Sequence, residues 1–224
     1  RNRALSKVDH ILTWMDSEFQ WAKKNLPVEK ATHKFFFYQN KFSYESVAET
    51  CKGLEVKTND KPVLVLGNSG TPSNNHLDMA EHLRSAGFSG ELIVPLSYGS
   101  ANYISQIKSA FDIPGCKINF LEQYVPFETY LKMLAGTDGL IMNTLRPQGY
   151  GNIFMMMMLG KKVFLNPNNS SLSDLTRMNL KFFQLDEIPV SSNYDVQNFE
   201  PQEQGILSYF SFEQMRKVYQ DIFA

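Results

Sequence analysis

The sequence has few of the features that mark metalloproteins, nucleic-acid-binding proteins and membrane proteins. Its two cysteines, Cys51 and Cys116, lack the Cys or His spacing of a zinc site, which predicts free thiols in a reducing compartment and no metal site. The formal net charge is -1, so we expect no nucleic-acid partner. The longest apolar run, residues 153–159, is too short to span a bilayer, and no signal peptide opens the chain. These absences predict a cytoplasmic protein.

The composition is that of an ordinary globular protein. The 224 residues are 43% hydrophobic and 20% charged, enough for one large core or two smaller ones. The chain starts at Arg1 without a methionine and reads as the continuation of something longer. We therefore expect a fragment of a longer parent.

The first 60 residues predict two strands and a helix. Residues 10–14 and 34–38 have strand character, and Asp16 or Ser17 is suited to cap a helix that ends before Pro27. The polar run 57–62 predicts a loop or linker. We place a domain boundary there, with residues 1–60 as the end of one domain and 61–224 as a second.

Strands and helices alternate from residue 63 onward. The predicted strands are Val63–Leu66, Glu91–Pro95, Lys117–Leu121, Gly139–Met142 and Lys162–Leu165. The predicted helices are 75–86, 101–111, 126–135 and 153–159. This pattern is typical of an α/β, Rossmann-like, doubly wound parallel sheet. Ligands bind such sheets beyond the carboxyl ends of the strands, which directs attention to the loops 67–75, 96–102, 122–126, 143–152 and 166–173.

The first of these loops is suited to phosphate. Gly67 and Gly70 let the backbone approach a ligand, and the hydroxyl and amide side chains between Asn68 and Asn75 offer neutral donors. The loop has neither the Gly-Lys-Ser/Thr ending of a Walker loop nor the spacing of the dinucleotide fingerprint. The alternative is a tight turn with an Asn or Ser cap, which explains this loop without a ligand.

The heptapeptide RPQGYGN, residues 146–152, is the second such loop. It separates the strand Gly139–Met142 from an oily helix. Arg146 can donate two hydrogen bonds to a phosphate, and the positive end of the helix points to the same place. The pattern predicts a pyrophosphate clamp; the alternative is a sharp turn with Asn152 as the helix N-cap.

Several other residues have structural explanations. Met155, Met156, Met157 and Met158 fan around a helix, which indicates core packing. His76 stands at a helix start where it could face a ligand. Asp138 and Glu128 are interpreted as helix and loop charges, because no spacing forces them together.

Five motifs follow one another along the chain: VLGNSG with SNNH (65–70 and 73–76), VPLSYG (94–99), YI (103–104), FETYL (127–131) and RPQGYGN (146–152). Read in order, they resemble the bacterial TDP-4-acetamido-4,6-dideoxygalactose transferases of enterobacterial common antigen synthesis. The resemblance covers about residues 62–185. Within the last motif, Pro147 and Asn152 depart from the Gln and Thr expected in the family.

The resemblance implies a metal-independent, inverting glycosyltransferase of GT-B architecture, of which this chain holds the C-terminal, donor-binding domain and the end of the N-terminal one. It implies a dTDP- or UDP-linked sugar as donor and a lipid-linked saccharide as acceptor, at the inner face of the membrane. No cofactor is implied, and the catalytic residues stay unknown because most of the N-terminal domain is absent. We expect the fragment to bind nucleotide but to transfer little sugar.

The same resemblance assigns donor-binding roles. The residues implied to approach the diphosphate or sugar are Gly67, Asn68, Ser69, Asn74, Arg146, Gln148, Gly149, Gly151 and Asn152. Those implied to flank the base or sugar are Tyr98 and Tyr103, with Glu122 and Tyr124 near the nucleobase.

Two other functions fit the same sequence. One is a non-catalytic α/β interaction module, in which the glycines are turns and exposed tail aromatics dock a partner: Tyr209, Phe210, Phe212, Tyr219 and Phe223. The other is a sugar-nucleotide epimerase built on the same kind of sheet. In a transferase, we expect the C-terminal helix Phe212–Phe223 to return to the N-terminal domain instead.

Overall fold

The computed structural model describes residues 2–37, 43–55, 59–190 and 199–223, without the side chains of Asn2 and Arg3. The helices are α1 (Asn2–Leu5), α2 (Asp16–Asn25), α3 (Tyr44–Lys52), α4 (His76–Ser85), α5 (Ala101–Ala110), α6 (Phe127–Ala135), α7 (Tyr150–Met158), α8 (Leu172–Arg177), α9 (Glu203–Phe210) and α10 (Phe212–Phe223). The strands are β1 (His10–Thr13), β2 (Thr32–Phe35), β3 (Val63–Leu66), β4 (Glu91–Pro95), β5 (Lys117–Leu121), β6 (Gly139–Met142), β7 (Lys162–Leu165) and β8 (Phe183–Gln184). Two 3-10 helices cover Pro72–Asn74 and Leu185–Glu187.

The described residues fall into two compact units. The first unit draws on Arg1–Val47, Ser170–Lys181 and Glu203–Ala224, and the second on Ala48–Asn169 and Phe182–Gln202. The domain division at residue 60 stays a prediction.

The first unit is built on a parallel pair of strands, β1 and β2, in the register His10 to Thr32. Strand β2 ends at Phe35, earlier than predicted, and Tyr38 lies outside the described residues. Phe210 is the centre of its aromatic packing, with ring centroids 5.3 Å from Trp14 and 5.3 Å from Phe37. It is 1% exposed, so the prediction of an exposed tail is wrong at this residue. Phe212 and Phe223 are 58% and 73% exposed, as the module hypothesis expected.

The N-terminus of α2 is capped by a residue far away in sequence. Asp16 is already helical and Met15 is the N-cap without a side-chain bond, so the predicted cap at Asp16 or Ser17 is wrong. The Asp16 and Ser17 N–H groups donate to the Asp174 carboxylate at 2.8 and 3.2 Å. Asp174 is 1% exposed and also pairs with Arg177 at 2.8 Å. A buried carboxylate therefore satisfies amide groups that would otherwise lack partners.

We expect Asp174→Asn to lower the free energy of unfolding by about 1 to 3 kcal/mol, because it removes the charge that strengthens these hydrogen bonds. Urea titration followed by far-UV circular dichroism measures the change. Asp9→Asn, at an exposed position of the same unit, is the matched control. Equal stability of the two variants would show that the Asp174 charge does not stabilise the helix end.

The second unit contains a six-stranded parallel sheet in the order β5-β4-β3-β6-β7-β8. Numbered from its own first strand, this order is 3-2-1-4-5-6, the arrangement of dinucleotide-binding Rossmann folds. The chain winds outward from β3 to β5, then returns to the other side of β3 and continues through β6. The predicted fold class is confirmed, and a switch point lies between β3 and β6.

The apolar segments of the sequence predicted most strands of this sheet correctly. The five strands from β3 to β7 have the predicted bounds, because each is rich in apolar residues and is bounded by turn residues. Helix α7 starts at Tyr150, three residues before the prediction, and Gly149 with φ of 71° is its N-cap. Asn152 therefore lies inside the first turn and is not the cap. The four methionines of α7 are buried, as predicted.

None of the helices in the described ranges is long and apolar enough to cross a bilayer.

Candidate functional site

The loops after β3 and β6 meet at the switch point of the sheet. The Gly67 N–H donates to the Ile141 carbonyl at 2.9 Å, which joins the ends of the two strands. Gly67 has φ of 71°, and a Cβ placed on it would lie 2.7 Å from His76 Nε2. Glycine is therefore required at this turn, both for the backbone angle and for space.

The loop after β4 is fastened to the same turn. The Gly70 N–H donates to the Tyr98 carbonyl at 2.8 Å, and the Ser100 N–H donates to the Gly70 carbonyl at 3.0 Å. Gly99 has φ of 136°, and a Cβ on it would lie 2.3 Å from the Gly70 carbonyl oxygen. This close backbone approach carries the Tyr98 side chain next to Asn68, whose amide donates to the Tyr98 hydroxyl at 3.1 Å.

A cavity of about 480 Å³ opens beyond the carboxyl ends of the strands. None of the side chains that line it is charged. They are Asn68, Pro95, Ser97, Tyr98, Leu121, Gln123, Tyr124, Val125, Tyr130, Gly149, Gly151 and Asn152. Six residues that the resemblance assigned to the donor are therefore brought together here: Asn68, Tyr98, Tyr124, Gly149, Gly151 and Asn152.

Tyr130 lines this cavity, and it stands in the FETYL motif but was assigned no role from the sequence. Burial raises the pKa of its hydroxyl to about 12, against the opposing effect of a hydrogen bond with the Asn152 side chain. The hydroxyl is therefore protonated at neutral pH and can donate a hydrogen bond. Tyr130 belongs to α6 and not to a strand-end loop, so the rule that locates ligands at strand ends does not find it.

A chain of hydrogen bonds joins the two predicted phosphate loops. Gln148 Nε2 donates to Asn68 Oδ1 at 3.0 Å, and Ser73 Oγ donates to Gln148 Oε1 at 2.6 Å. Arg146 Nη2 lies 3.5 Å from Ser73 Oγ, and its side chain is exposed. The structure thus places Arg146 and Gln148 beside the cavity wall, linked to it through Asn68 and Ser73.

Three other predicted site residues are buried, Ser69 and Asn74 in the loop after β3 and Tyr103 on α5. Ser69 and Asn74 are 1% and 0% exposed, and Asn74 Nδ2 donates to the Ser69 carbonyl at 3.0 Å. Tyr103 is 9% exposed, and its hydroxyl accepts the His76 N–H at 3.1 Å. These side chains support the shape of the loops and are not among the residues that line the cavity.

The N-terminus of α7 opens into the cavity. The helical ladder begins with the Ile153 N–H, which donates to the Gly149 carbonyl at 3.1 Å. The amides of Gly151 and Asn152 precede that bond, and both residues line the cavity. A helix N-terminus with amides outside the ladder is a favourable place for an anion.

His76 does not face a ligand, contrary to the sequence-based expectation. Its side chain is 0% exposed, and burial lowers its pKa from 6.5 to about 4. Neither ring nitrogen has a hydrogen-bond partner. The ring is therefore a neutral packing element beneath the Gly67 turn.

The acidic residues weighed from the sequence lie elsewhere. Asp138 is 3% exposed in the bend that leads into β6, where it accepts the Val63 N–H at 2.8 Å, so its interpretation as a loop charge is confirmed. Glu122 pairs with Lys108 at 2.9 Å, whereas Tyr124 lines the cavity. Across the described ranges, no three His, Cys, Asp or Glu side chains cluster as metal ligands.

Residues 1–216 match the sequence profile of a family described as 4-alpha-L-fucosyltransferase, glycosyl transferase group 56. The chain belongs to this glycosyltransferase family. The match extends over both units, and it agrees with the class of enzyme that the five motifs predicted.

Solved glycosyltransferases of GT-B architecture share the fold of this family member. Sucrose-phosphate synthase from Thermosynechococcus elongatus is 12% identical with a TM-score of 0.69, over 99% of this chain and 60% of the other. A mutant of S. aureus TarM in complex with Fondaparinux, alpha-GlcNAc-glycerol and UDP is 13% identical with a TM-score of 0.67, over 98% of this chain and 44% of the other. A glycosyltransferase from Rickettsia africae ESF-5 is 12% identical with a TM-score of 0.63, over 99% of this chain and 65% of the other. The chain spans less than two thirds of the length of each.

Burial of His76 predicts a loss of stability in acid. The unfolded chain takes up a proton near pH 6.5 and the native protein only near pH 4, so the stabilisation is complete above pH 6.5 and falls as the pH drops towards 4. We expect this group to contribute a loss of about 3 kcal/mol over that interval. Urea unfolding at several pH values measures it.

The His76→Gln variant should lack this part of the pH dependence. His82→Gln, an exposed position on the same helix, should retain it. If His76→Gln and the unsubstituted protein lose stability in parallel, the imidazole is protonated in the native state at a higher pH than its burial implies.

Proposed function

We propose that this chain is the nucleotide-sugar-binding part of a metal-independent, inverting glycosyltransferase. Its donor would be a dTDP- or UDP-linked deoxyamino sugar, of the kind suggested by the resemblance to TDP-4-acetamido-4,6-dideoxygalactose transferases. The acceptor would be a lipid-linked saccharide at the inner face of the bacterial membrane. No cofactor is part of the proposal.

The observation that carries the proposal is the position of the uncharged cavity. It lies at the switch point of a Rossmann-like sheet, next to the N-terminus of α7 and the Asn68–Gln148 contact. A nucleoside and a sugar are neutral and fit an uncharged cavity, whereas a diphosphate needs donors. Gly151 and Asn152 amides, the dipole of α7 and Arg146 would supply them and would stabilise the leaving diphosphate without a cation.

The first experiment is isothermal titration of the 224-residue chain with dTDP, UDP, GDP and dTMP in EDTA. We expect tight diphosphate binding that survives chelation and is much weaker for dTMP. Diphosphate binding that disappears with EDTA would contradict metal independence. An absence of binding to every nucleotide would contradict the proposed donor site in this chain.

Arg146→Ala should weaken diphosphate binding by about 1.5 to 3 kcal/mol, because it removes a charge-assisted hydrogen bond to the phosphates. Binding of the free nucleoside should not change. Lys132→Ala, an exposed cation on α6, is the control for a general loss of positive charge. If Arg146→Ala and Lys132→Ala have the same diphosphate affinity, Arg146 does not belong to the clamp.

Alanine substitutions at Gly149 and Gly151 should affect stability and diphosphate binding differently. Gly151 has a helical backbone, and a Cβ on it meets nothing within 4 Å, so Gly151→Ala should raise stability by up to about 1 kcal/mol. Because Gly151 lines the cavity, the added methyl should still weaken diphosphate binding, roughly tenfold. Thermal unfolding and titration together test this.

Gly149→Ala is the contrasting variant. Gly149 has φ of 71°, and its Cβ would lie 2.6 Å from Met142 Cε, so we expect a loss of about 1 to 2 kcal/mol in stability. A Gly151→Ala protein that is stable and binds diphosphate normally would argue against a ligand at the start of α7.

A further inference from the structure

Asn169 holds the backbone of the Arg146 loop from beneath. It follows β7 in the second unit and is 6% exposed. Its Nδ2 donates to the Thr144 carbonyl at 2.8 Å and to Thr144 Oγ1 at 3.0 Å, and it lies 3.4 Å from the Arg146 carbonyl oxygen. One buried amide therefore reaches both ends of the segment 144–146, which leads from β6 into the heptapeptide.

This anchoring matters because the Arg146 side chain has little else to direct it. The side chain is exposed, and its Nη2 lies 3.5 Å from Ser73 Oγ. A long exposed side chain samples many rotamers, so the position and direction of its backbone decide which space the guanidinium reaches. A bidentate phosphate contact tolerates only small errors in that position.

The segment that carries Asn169 is itself fixed to the site. Asn166 Nδ2 donates to Asn143 Oδ1 at 2.6 Å, and Asn166 Oδ1 accepts the Asn168 N–H at 2.8 Å. Asn143 in turn accepts from Asn75 Nδ2 at 2.8 Å through its carbonyl. Amide side chains thus tie together the loops after β3, β6 and β7, and Asn169 lies at the end of this series next to Arg146.

We propose that Asn169 is a positioning residue for the diphosphate site, which acts by holding the backbone of Thr144 and Arg146 so that the Arg146 guanidinium meets the phosphates. The proposal rests on the proposed function, since it needs a diphosphate to be bound beside Arg146. Asn169 itself does not touch the ligand in this assignment.

A double-mutant cycle of Asn169→Ala and Arg146→Ala tests it, with dTDP affinity measured by titration of the 224-residue chain. We expect Asn169→Ala to weaken dTDP binding by about tenfold when Arg146 is present, and by less than about twofold in the Arg146→Ala background. Thymidine affinity should be the same in all four proteins. Asn168→Ala, the exposed neighbour of the same residue type, should leave dTDP affinity unchanged.

Equal losses from Asn169→Ala in both backgrounds would overturn the proposal, since a merely structural role would weaken binding whether or not Arg146 is there. A loss of thymidine binding would also overturn it. If the unsubstituted chain binds no diphosphate, the proposed function fails together with the inference. Normal diphosphate binding, with an effect of Arg146→Ala and an additive cycle, refutes the inference alone.

A folding defect does not obscure the result. If Asn169→Ala unfolds below the titration temperature, Asn169→Ser replaces it, because serine keeps one hydrogen-bond donor in a smaller side chain. The same cycle with Asn169→Ser should show the same dependence on Arg146, with a smaller loss of affinity.

Discussion

The hydrogen bond from the Gly67 N–H to the Ile141 carbonyl is the contact on which the site depends. It joins the ends of β3 and β6, the two strands between which the direction of winding reverses. Because Gly67 turns there with φ of 71°, the chain bends sharply over the His76 ring. The loop after β3 can then meet both the loop after β4, through Gly70, and the loop after β6, through Gln148.

Local sequence pattern was sufficient to predict those strands whose bounds depend on neighbouring residues alone. Strands β3 to β7 are short segments rich in apolar residues with turn residues at their ends, and this local pattern was enough to predict their bounds. The start of α7 does not, because Gly149 acts as its N-cap through backbone conformation and offers no side-chain signal. The carboxylate that accepts the first amides of α2 belongs to Asp174, more than 150 residues away in sequence, so the residues around α2 give no sign of it.

The residues of the candidate site likewise fall into those that local sequence pattern indicates and those that it does not. The polar loops that follow the predicted strands β3 and β6 contain Asn68, Arg146 and Gln148. Their position after these strands is what made them candidate binding residues. Tyr130 enters the cavity from the side of a helix, and Asn169 contributes through buried contacts to backbone atoms of another loop. Such roles depend on which loops become neighbours in space, and the strand order that decides this is a property of the whole sheet.

The polar groups beside the cavity are bonded to one another in the free protein. Asn68 contacts both Tyr98 and Gln148, and Gln148 contacts Ser73. A ligand that uses these groups must replace existing hydrogen bonds, so each exchange contributes less than a new bond would. Arg146 joins this network through a longer contact, 3.5 Å from Ser73 Oγ, and the amides of Gly151 and Asn152 precede the first helical hydrogen bond of α7. For the proposed nucleotide-sugar donor, net affinity should therefore come mainly from the charged diphosphate. The neutral network would govern which sugar is accepted, because only a ligand of matching geometry can replace each of its hydrogen bonds.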